Sequence, residues 1–342
     1  VIDTSSAPAR PGSDFTRLSR LINQRGLLKR RPGDYAVKFA LNGLLLTVGG
    51  VAFVLIGASW WNLLTAAFFA VVFAQLAFIG HDAGHKQIFR GKRANDFVGH
   101  LHGALVGMSY GNWVGQHNRH HANPNHEDDD PDLDIPALAF TTEQAMGKRG
   151  MLRWIAKYQA YLFFPLLLLE GFSLHHSGIR AVVRREVKAH KLESVLIFGH
   201  IAAYLAAVFL VLSPLQALVF IVVHQGLWGV YMGCSFAPNH KGMPTLTAAR
   251  KFDHLHKQVL TSRNVRGGRV VDYVLGGLNY QIEHHLFPSM PRSNLRHAQP
   301  LVREFCARLG LPYHQTTAVG SYAQVLSHLH AVGAPLRAPA VS

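Results

Sequence analysis

The sequence predicts an all-α integral membrane protein, with four transmembrane helices in two hairpins capped by a cytoplasmic helical domain that holds a histidine-rich metal site. Three observations predict it. Asp, Glu, Lys and Arg are absent from residues 39–59, 60–80 and 194–240, and a bilayer core takes about 20 apolar residues per helix. Each of the first two runs therefore crosses once, and the third crosses twice. Basic residues flank the runs while the hairpin turns carry no charge. Three histidine clusters stand at or near the ends of the apolar stretches, all on the same expected side.

Taken in order, residues 1–34 are polar, with several Arg, Ser and Pro, and read as a partly ordered cytoplasmic N-terminal arm. The domain proper is expected over 35–310, with spans at about 39–58 and 61–80, turning near Ala58-Ser59-Trp60, and at about 194–212 and 215–236, turning at Ser213-Pro214. The first apolar block begins too late, and runs too long, for the h-region of a cleaved signal peptide, so it reads as a retained span. A soluble bundle would need several adjacent helices apolar all round, which runs of this length fit poorly. Residues 97–116 are Gly-rich and too broken for a span.

The segment 151–172 is apolar enough to be called a span, but parity argues against it. A crossing there would put the third histidine cluster on the opposite face from the other two. It is therefore expected to lie interfacial or re-entrant, consistent with Lys157, Pro165 and Glu170. A helix is expected near 292–310, and 311–342 reads as a C-terminal tail, without order after about 331.

Net charge is +15, from 34 Lys plus Arg against 19 Asp plus Glu. Such a balance suits nucleic acid, but no nucleic-acid module is visible and the basic residues flank the spans. Arg10, Arg17, Arg20, Arg25, Lys29, Arg30, Arg31 and Lys38 precede the first span, and Lys86, Arg90, Lys92 and Arg93 follow the second. The positive-inside tendency then puts both termini and every histidine cluster in the cytoplasm of a multi-pass protein. Cys234 and Cys306 form no Cys-x-x-Cys pair, so neither a structural disulfide nor a thiolate metal site is expected.

The clusters are His81-Asp-Ala-Gly-His85, His117-Asn-Arg-His120-His121 and Gln281-Ile-Glu-His284-His285. Helix positions i, i+3 and i+4 share a face, so each cluster can aim its ligands in one direction. One His-x-x-x-His pair is a common accident; three clusters on one side of a bilayer are not, even with 22 histidines in the chain. A catalytic zinc uses about three protein ligands, whereas seven histidines plus Gln281 suffice for two metals. Imidazole alone leaves iron, copper, zinc and nickel open. Asp82 and Glu283 are available as acceptors that fix imidazole orientation.

Trp113, one turn before His117, could wall a ligand pocket or be an interfacial tryptophan. Arg119, off the ligand face, could hold a phosphate or simply meet the membrane surface. The acidic run Glu127–Asp134 could orient ligands or meet a basic electron donor. His200 and His224 fall inside spans and read as hydrogen-bonded between helices. His100, His102 and His126 are second-layer candidates, and His175, with the remaining histidines, reads as surface.

These clusters, with Asn123-Pro-Asn-His-Glu-Asp-Asp-Asp-Pro-Asp-Leu133 and Asn279-Tyr-Gln-Ile-Glu-His-His-Leu-Phe-Pro288, resemble the three histidine boxes of the membrane fatty acid desaturases, over roughly residues 35–310. The resemblance implies two iron ions held by the box histidines, with O2 as co-substrate. It also implies a fatty acyl-CoA or acyl-lipid substrate in the membrane. His240, just after the fourth span, matches an additional histidine ligand of that family, and Gln281 stands where other members carry histidine. Front-end members carry a fused cytochrome b5 domain with a His-Pro-Gly-Gly motif. No such motif occurs in this sequence, so the expected electron donor is a separate ferredoxin or cytochrome b5 with its reductase. The implied activity is O2-dependent desaturation of a fatty acyl chain. A membrane hydroxylase using the same centre is the alternative, and a non-enzymatic metal transporter or sensor is the rival from another class. A transporter needs polar residues lining a path through the spans, whereas these ligands sit outside them.

Overall fold

A computed structural model describes residues 13–249 and 252–338, almost wholly as helices with one two-residue strand pair. Helix α1 (Ser13–Gln24) lies in the expected N-terminal arm, but it is not a free arm. Leu18 and Ile22 are fully buried beside Val259, Leu295 and Val302 of the cap. This spacing of four is the signal of a half-buried helix that the surrounding arginines hide.

The first hairpin is α2 (Pro32–Ile56) and α3 (Asn62–Gly84). The turn between them is closed by Gly57 at φ 63°, and by the Asn62 side chain donating to Phe53 O (3.1 Å) and Gly57 O (2.7 Å). Helix α2 begins earlier than the expected span because Pro32 suits a first helical turn, where its missing N–H costs nothing. Helices α4 (Lys92–Val106) and α5 (Tyr110–Ala122) occupy the broken Gly-rich stretch. They are followed by α6 (Thr142–Gly147), α7 (Gly150–Leu167) and α8 (Glu170–Val183).

Helices α7 and α8 meet at 81°, so the stretch expected to lie interfacially forms an elbow rather than a straight helix. The elbow seats against glycines. A Cβ on Gly229 would stand 2.5 Å from Leu167 O and 2.6 Å from Gly171 N.

The second hairpin is α9 (His190–Val211) and α10 (Pro214–His240), where Ser213 and Gln216 form a capping box around Pro214. Thus, among the described residues, α2, α3, α9 and α10 are single helices long and apolar enough to cross a membrane, and the bent α7–α8 pair passes the same test only if taken together. Helices α3 and α10 are the enclosed pair, while α2 and α9 present apolar side chains such as Leu55, Val195 and Leu210 outward. An aqueous protein would not leave such continuous apolar faces uncovered.

The cap comprises α11 (His254–Leu260), α12 (Arg269–Val274), α13 (Gln281–Leu286) and α14 (Arg292–Arg308). The expected tail at 311–342 is corrected. Gln315–Thr316 pairs in parallel with Asn264–Val265, and α15 (Ala318–Val332) buries Val325, Leu329 and Val332 against the α7 side. These three residues stand at i, i+4 and i+7, one helical face, which Pro335 and Pro339 mask in a reading by composition. Residues 339–342 lie outside the described residues.

Arg263 joins these layers. Fully buried, it donates through Nε to Pro238 O (2.8 Å), through Nη2 to Lys241 O (2.9 Å) and through Nη1 to Gln324 Oε1 (2.7 Å). Burial lowers its pKa to about 10, so it remains a cation at neutral pH, placed where the last carbonyls of α10 favour one. Arg263→Leu strands those acceptors and should cost on the order of 3 kcal/mol. The measurement is thermal unfolding in detergent, with Arg263→Lys recovering only part of the loss because it lacks the fork.

Candidate metal centre

Four helix ends meet beneath the cap. Helix α3 delivers His81 and, at its C-cap, His85; the last turns of α5 deliver His117, His120 and His121. The final residue of α10 is His240, and α13 carries Gln281, His284 and His285. Their rings are in mutual contact. Centroids lie 4.8 Å apart for His81–His284, 4.5 Å for His85–His121 and 4.6 Å for both His120–His240 and His240–His285.

The donors separate into two groups, His81, His85, His117 and His284 in one and His120, His240 and His285 in the other. Within each group one ligand atom per residue lies within 4.8 Å of the others. His121 sits between them, stacked on His285 at 4.1 Å, with its Nε2 3.1 Å from His117 Nε2.

The second group has its tautomers set from outside. His120 Nδ1 donates to Asp130 (3.0 Å), His240 Nδ1 to Thr261 O (2.9 Å) and His285 Nδ1 to Gln258 Oε1 (2.9 Å). Each ring therefore carries its lone pair on Nε2, facing the other two. That is the arrangement a histidine metal site requires. Gln258 also donates to His121 O (2.9 Å), tying the second cluster to the third.

Burial favours neutral imidazoles. It holds His85, His117, His121, His240, His284 and His285 well below the ordinary histidine value, assisted by repulsion among the rings. His120 is the exception: despite burial, the Asp132 and Asp130 carboxylates raise it. Against the effect of its own burial, Asp130 is held down at about 2 by the bond from His120. Asp130 and Asp132 also approach His120 as a third candidate donor group. However, Asp130 accepts from the Nδ1 side of that ring, so it serves to orient the ligand.

The residues fit a pair of metal ions on a specific observation. The Nε2 atoms of His81, His85, His284 and His285 are buried with no hydrogen-bond partner, as is Nδ1 of His284. Unpartnered buried nitrogens are costly, and in the second group their lone pairs are aimed inward by the outer hydrogen bonds. Gln281 stands beside the second group, with its amide 2.8 Å from His240 Nε2 and 3.4 Å from the Asn239 amide.

The remaining expected site residues separate. Asp82 lies 3.5 Å from His81 Nδ1 and is ion-paired to Arg292 at 2.7 Å. Glu283 orients no imidazole: its carboxylate accepts from Asn264 (2.7 Å) and Tyr313 (2.7 Å), because on a one-turn helix it points away from the histidine face. Burial raises its pKa to about 7. Trp113 stacks on His117 at 4.5 Å and lines an apolar cavity between α3, α4 and α10 with Ala77, Gly80, His81, Val106 and Met232. Arg119 is exposed on the opposite face of α5.

His224 meets the Tyr204 hydroxyl at 2.9 Å, between α9 and α10 as expected. His175, expected at the surface, is instead bonded through Nδ1 to Gly107 O (2.9 Å), with the Gln225 amide 3.0 Å from Nε2. The elbow folds α8 inward and so brings it there. The sequence offers no signal for Thr261 and Gln258, while Asp130 falls in the acidic run already suspected of orienting ligands.

The chain matches the fatty acid desaturase family profile over residues 58–317. It is 30% identical over 341 residues to the acyl-lipid (9-3)-desaturase of Physcomitrium patens, covering 93% of this chain and 62% of that protein. It is 29% identical to the Delta(6)-fatty-acid desaturase fat-3 of Caenorhabditis elegans, covering 95% of this chain and 76% of the relative. For the Delta(8)-fatty-acid desaturase of Helianthus annuus, the identity is 28% and the shares are 88% and 69%. The chain thus spans less than two thirds of the moss protein's length and somewhat more of the others. With the profile covering most of the sequence and all three histidine clusters, the chain belongs to the fatty acid desaturase family.

Proposed function

We propose that this chain is a multi-pass membrane enzyme that introduces a double bond into a fatty acyl chain, carried as acyl-CoA or acyl-lipid, at a pair of iron ions. The observation that carries the reading is the two groups of buried, inward-facing imidazole nitrogens beside an apolar cavity walled by Trp113. Two iron ions held by His81, His85, His117, His120, His121, His240, His284 and His285 would supply the oxidation of an unactivated C–H bond, which no side chain performs. Overall, two adjacent methylenes each lose one hydrogen; with O2, two electrons and two protons the products are an alkene and two waters. The electrons come from a ferredoxin or a cytochrome b5 with its reductase.

The chain's own residues prepare the site. Asp130, Thr261 O and Gln258 hold three imidazoles in one tautomer, so no ring turns its proton inward. Asp82, fixed by Arg292, steadies the His81 ring. Gln281 completes the second group through its amide, directly or by its bond to His240. The cavity excludes water and aligns a flexible chain, the entropic part of the task. Its glycines leave room between helices, while Trp113, whose ring would meet a Cβ on Gly84 at 2.6 Å, closes one wall. The basic flanks of the spans support a cytoplasmic side for the centre and both termini.

Expression in a host lacking polyunsaturated fatty acids, with defined acyl chains supplied, should yield a new double bond by gas chromatography with mass spectrometry. His284→Ala should abolish it; a hydroxylated product would instead favour the hydroxylase. Asp130→Asn should weaken iron binding by roughly 10-fold to 100-fold in metal titrations while leaving the protein folded.

Acid should also destabilise the metal-free protein. An unfolded imidazole titrates near about 6.5, and the native values of His85, His117, His121, His284 and His285 lie well below it. Above that pH both states are neutral; below it the unfolded chain gains protons that the native one refuses, so stability falls as pH falls. His120 and Glu283, whose values are raised, oppose this with the reverse sign, but the six lowered rings, His240 included, outweigh them. The melting temperature of metal-free protein in detergent should therefore fall as pH is lowered from neutral, and a rise would contradict the assignment.

A further inference from the structure

Between α4 and α5 the chain turns at Gly107, Met108 and Ser109 and enters the helix that carries the second histidine cluster. Glu193, in the first turn of α9, is buried against this turn at 2% exposure. One of its oxygens accepts from the Gly111 backbone N–H at 2.9 Å, and the other accepts from the Ser109 hydroxyl. Ser109 itself caps α5, its Oγ accepting from Asn112 N at 3.1 Å. A carboxylate against the first N–H groups of a helix is also favoured by the helix dipole.

The seat is shaped for the carboxylate, since a Cβ on Gly111 would stand 2.6 Å from Glu193 Oε1. From the other side, α8 holds the same turn. His175 Nδ1 donates to Gly107 O at 2.9 Å, and Asn112 Nδ2 donates to Ser177 Oγ at 3.0 Å. A Cβ on Gly178 would stand 3.1 Å from Ser109 N.

We propose that Glu193, with His175, is a positioning residue that fixes the start of α5 and thereby sets the second histidine cluster relative to the wall of the apolar cavity. The geometry makes one rigid piece do two jobs. The first turn of α5 and the residues beside it, Met108, Ser109, Tyr110 and Trp113, line the cavity. The last turns of the same helix carry His117, which belongs to one donor group, and His120, which belongs to the other. A shift or tilt at Ser109 therefore moves ligands of both groups and the cavity wall together. Glu193 touches neither the donors nor the cavity, so its effect is exerted through the turn.

The test is made on the full-length chain in detergent, using Co(II) as the probe metal, with affinity and ligand-field absorption measured per monodisperse chain. Glu193→Ala is expected to weaken Co(II) binding roughly tenfold, in the range seen when outer partners of metal ligands are removed, and to shift the absorption bands. Tyr204→Phe removes another polar contact of α9, the bond to His224, and should change neither. Wild-type Co(II) affinity and spectrum in folded Glu193→Ala protein would overturn the proposal.

If Glu193→Ala gives no monodisperse protein, Ser109→Ala and Ser109→Thr decide. The alanine variant should show the weakened, shifted Co(II) signal and the threonine, which keeps the hydroxyl, should restore it. Two wild-type signals would overturn the idea. A further readout rests on the desaturase reading: Glu193→Ala should spread product double bonds over neighbouring positions, where wild type makes one. Absence of any wild-type product would count against that reading alone, while the Co(II) measurements would still decide the clamp.

Discussion

The structure depends on the desolvation of imidazole. Eight histidines from four helix ends crowd together, seven of them buried, and four keep an Nε2 without any protein partner. Burial alone would make such an arrangement unfavourable. Two features make it tolerable. Burial and mutual repulsion suppress protonation of most rings, so no set of like charges accumulates. The outer hydrogen bonds of Asp130, Thr261 and Gln258 accept the Nδ1 protons of the second group, leaving lone pairs inside. The remaining cost is of the kind that metal coordination relieves, and binding of a metal there would be coupled to folding.

Around this centre, the rest of the molecule acts as a support with different solvents on its two sides. The apolar faces of α2 and α9 suit lipid, while α3 and α10, between them, reach the centre with His81, His85 and His240 at their ends. The elbow of α7 and α8 fills the space beside α10 through close approach at Gly171 and Gly229. Arg263 then binds the end of α10 to the cap and to α15. Cavity and donors are therefore held by backbone carbonyls and small residues, which permit little adjustment.

Much of this was legible in the sequence because its signals are short-range. Uncharged runs mark the helices long and apolar enough to cross, and spacings of three and four mark which histidines share a face. What escaped depends on tertiary approach. Gln258 and Thr261 lie in a short polar stretch that resembles any other, and only the docking of α11 against α13 and against the end of α10 makes them imidazole partners. Glu283 was suggested by its place between ligands, yet a six-residue helix turns it toward Asn264 and Tyr313. His175 looked like a surface residue until the elbow carried it against Gly107. In α15 the periodicity of Val325, Leu329 and Val332 was present, but prolines and a small-residue composition outweighed it.

The order in which ligands occur along the chain has a consequence for biosynthesis. His284 belongs to one donor group and His285 to the other, so a nascent chain that ends before them possesses neither complete group, although both hairpins precede them. Membrane insertion can therefore finish while the centre is still unmade. Capture of metal would then come only after synthesis has passed the last histidines, as a step separate from the threading of the hairpins.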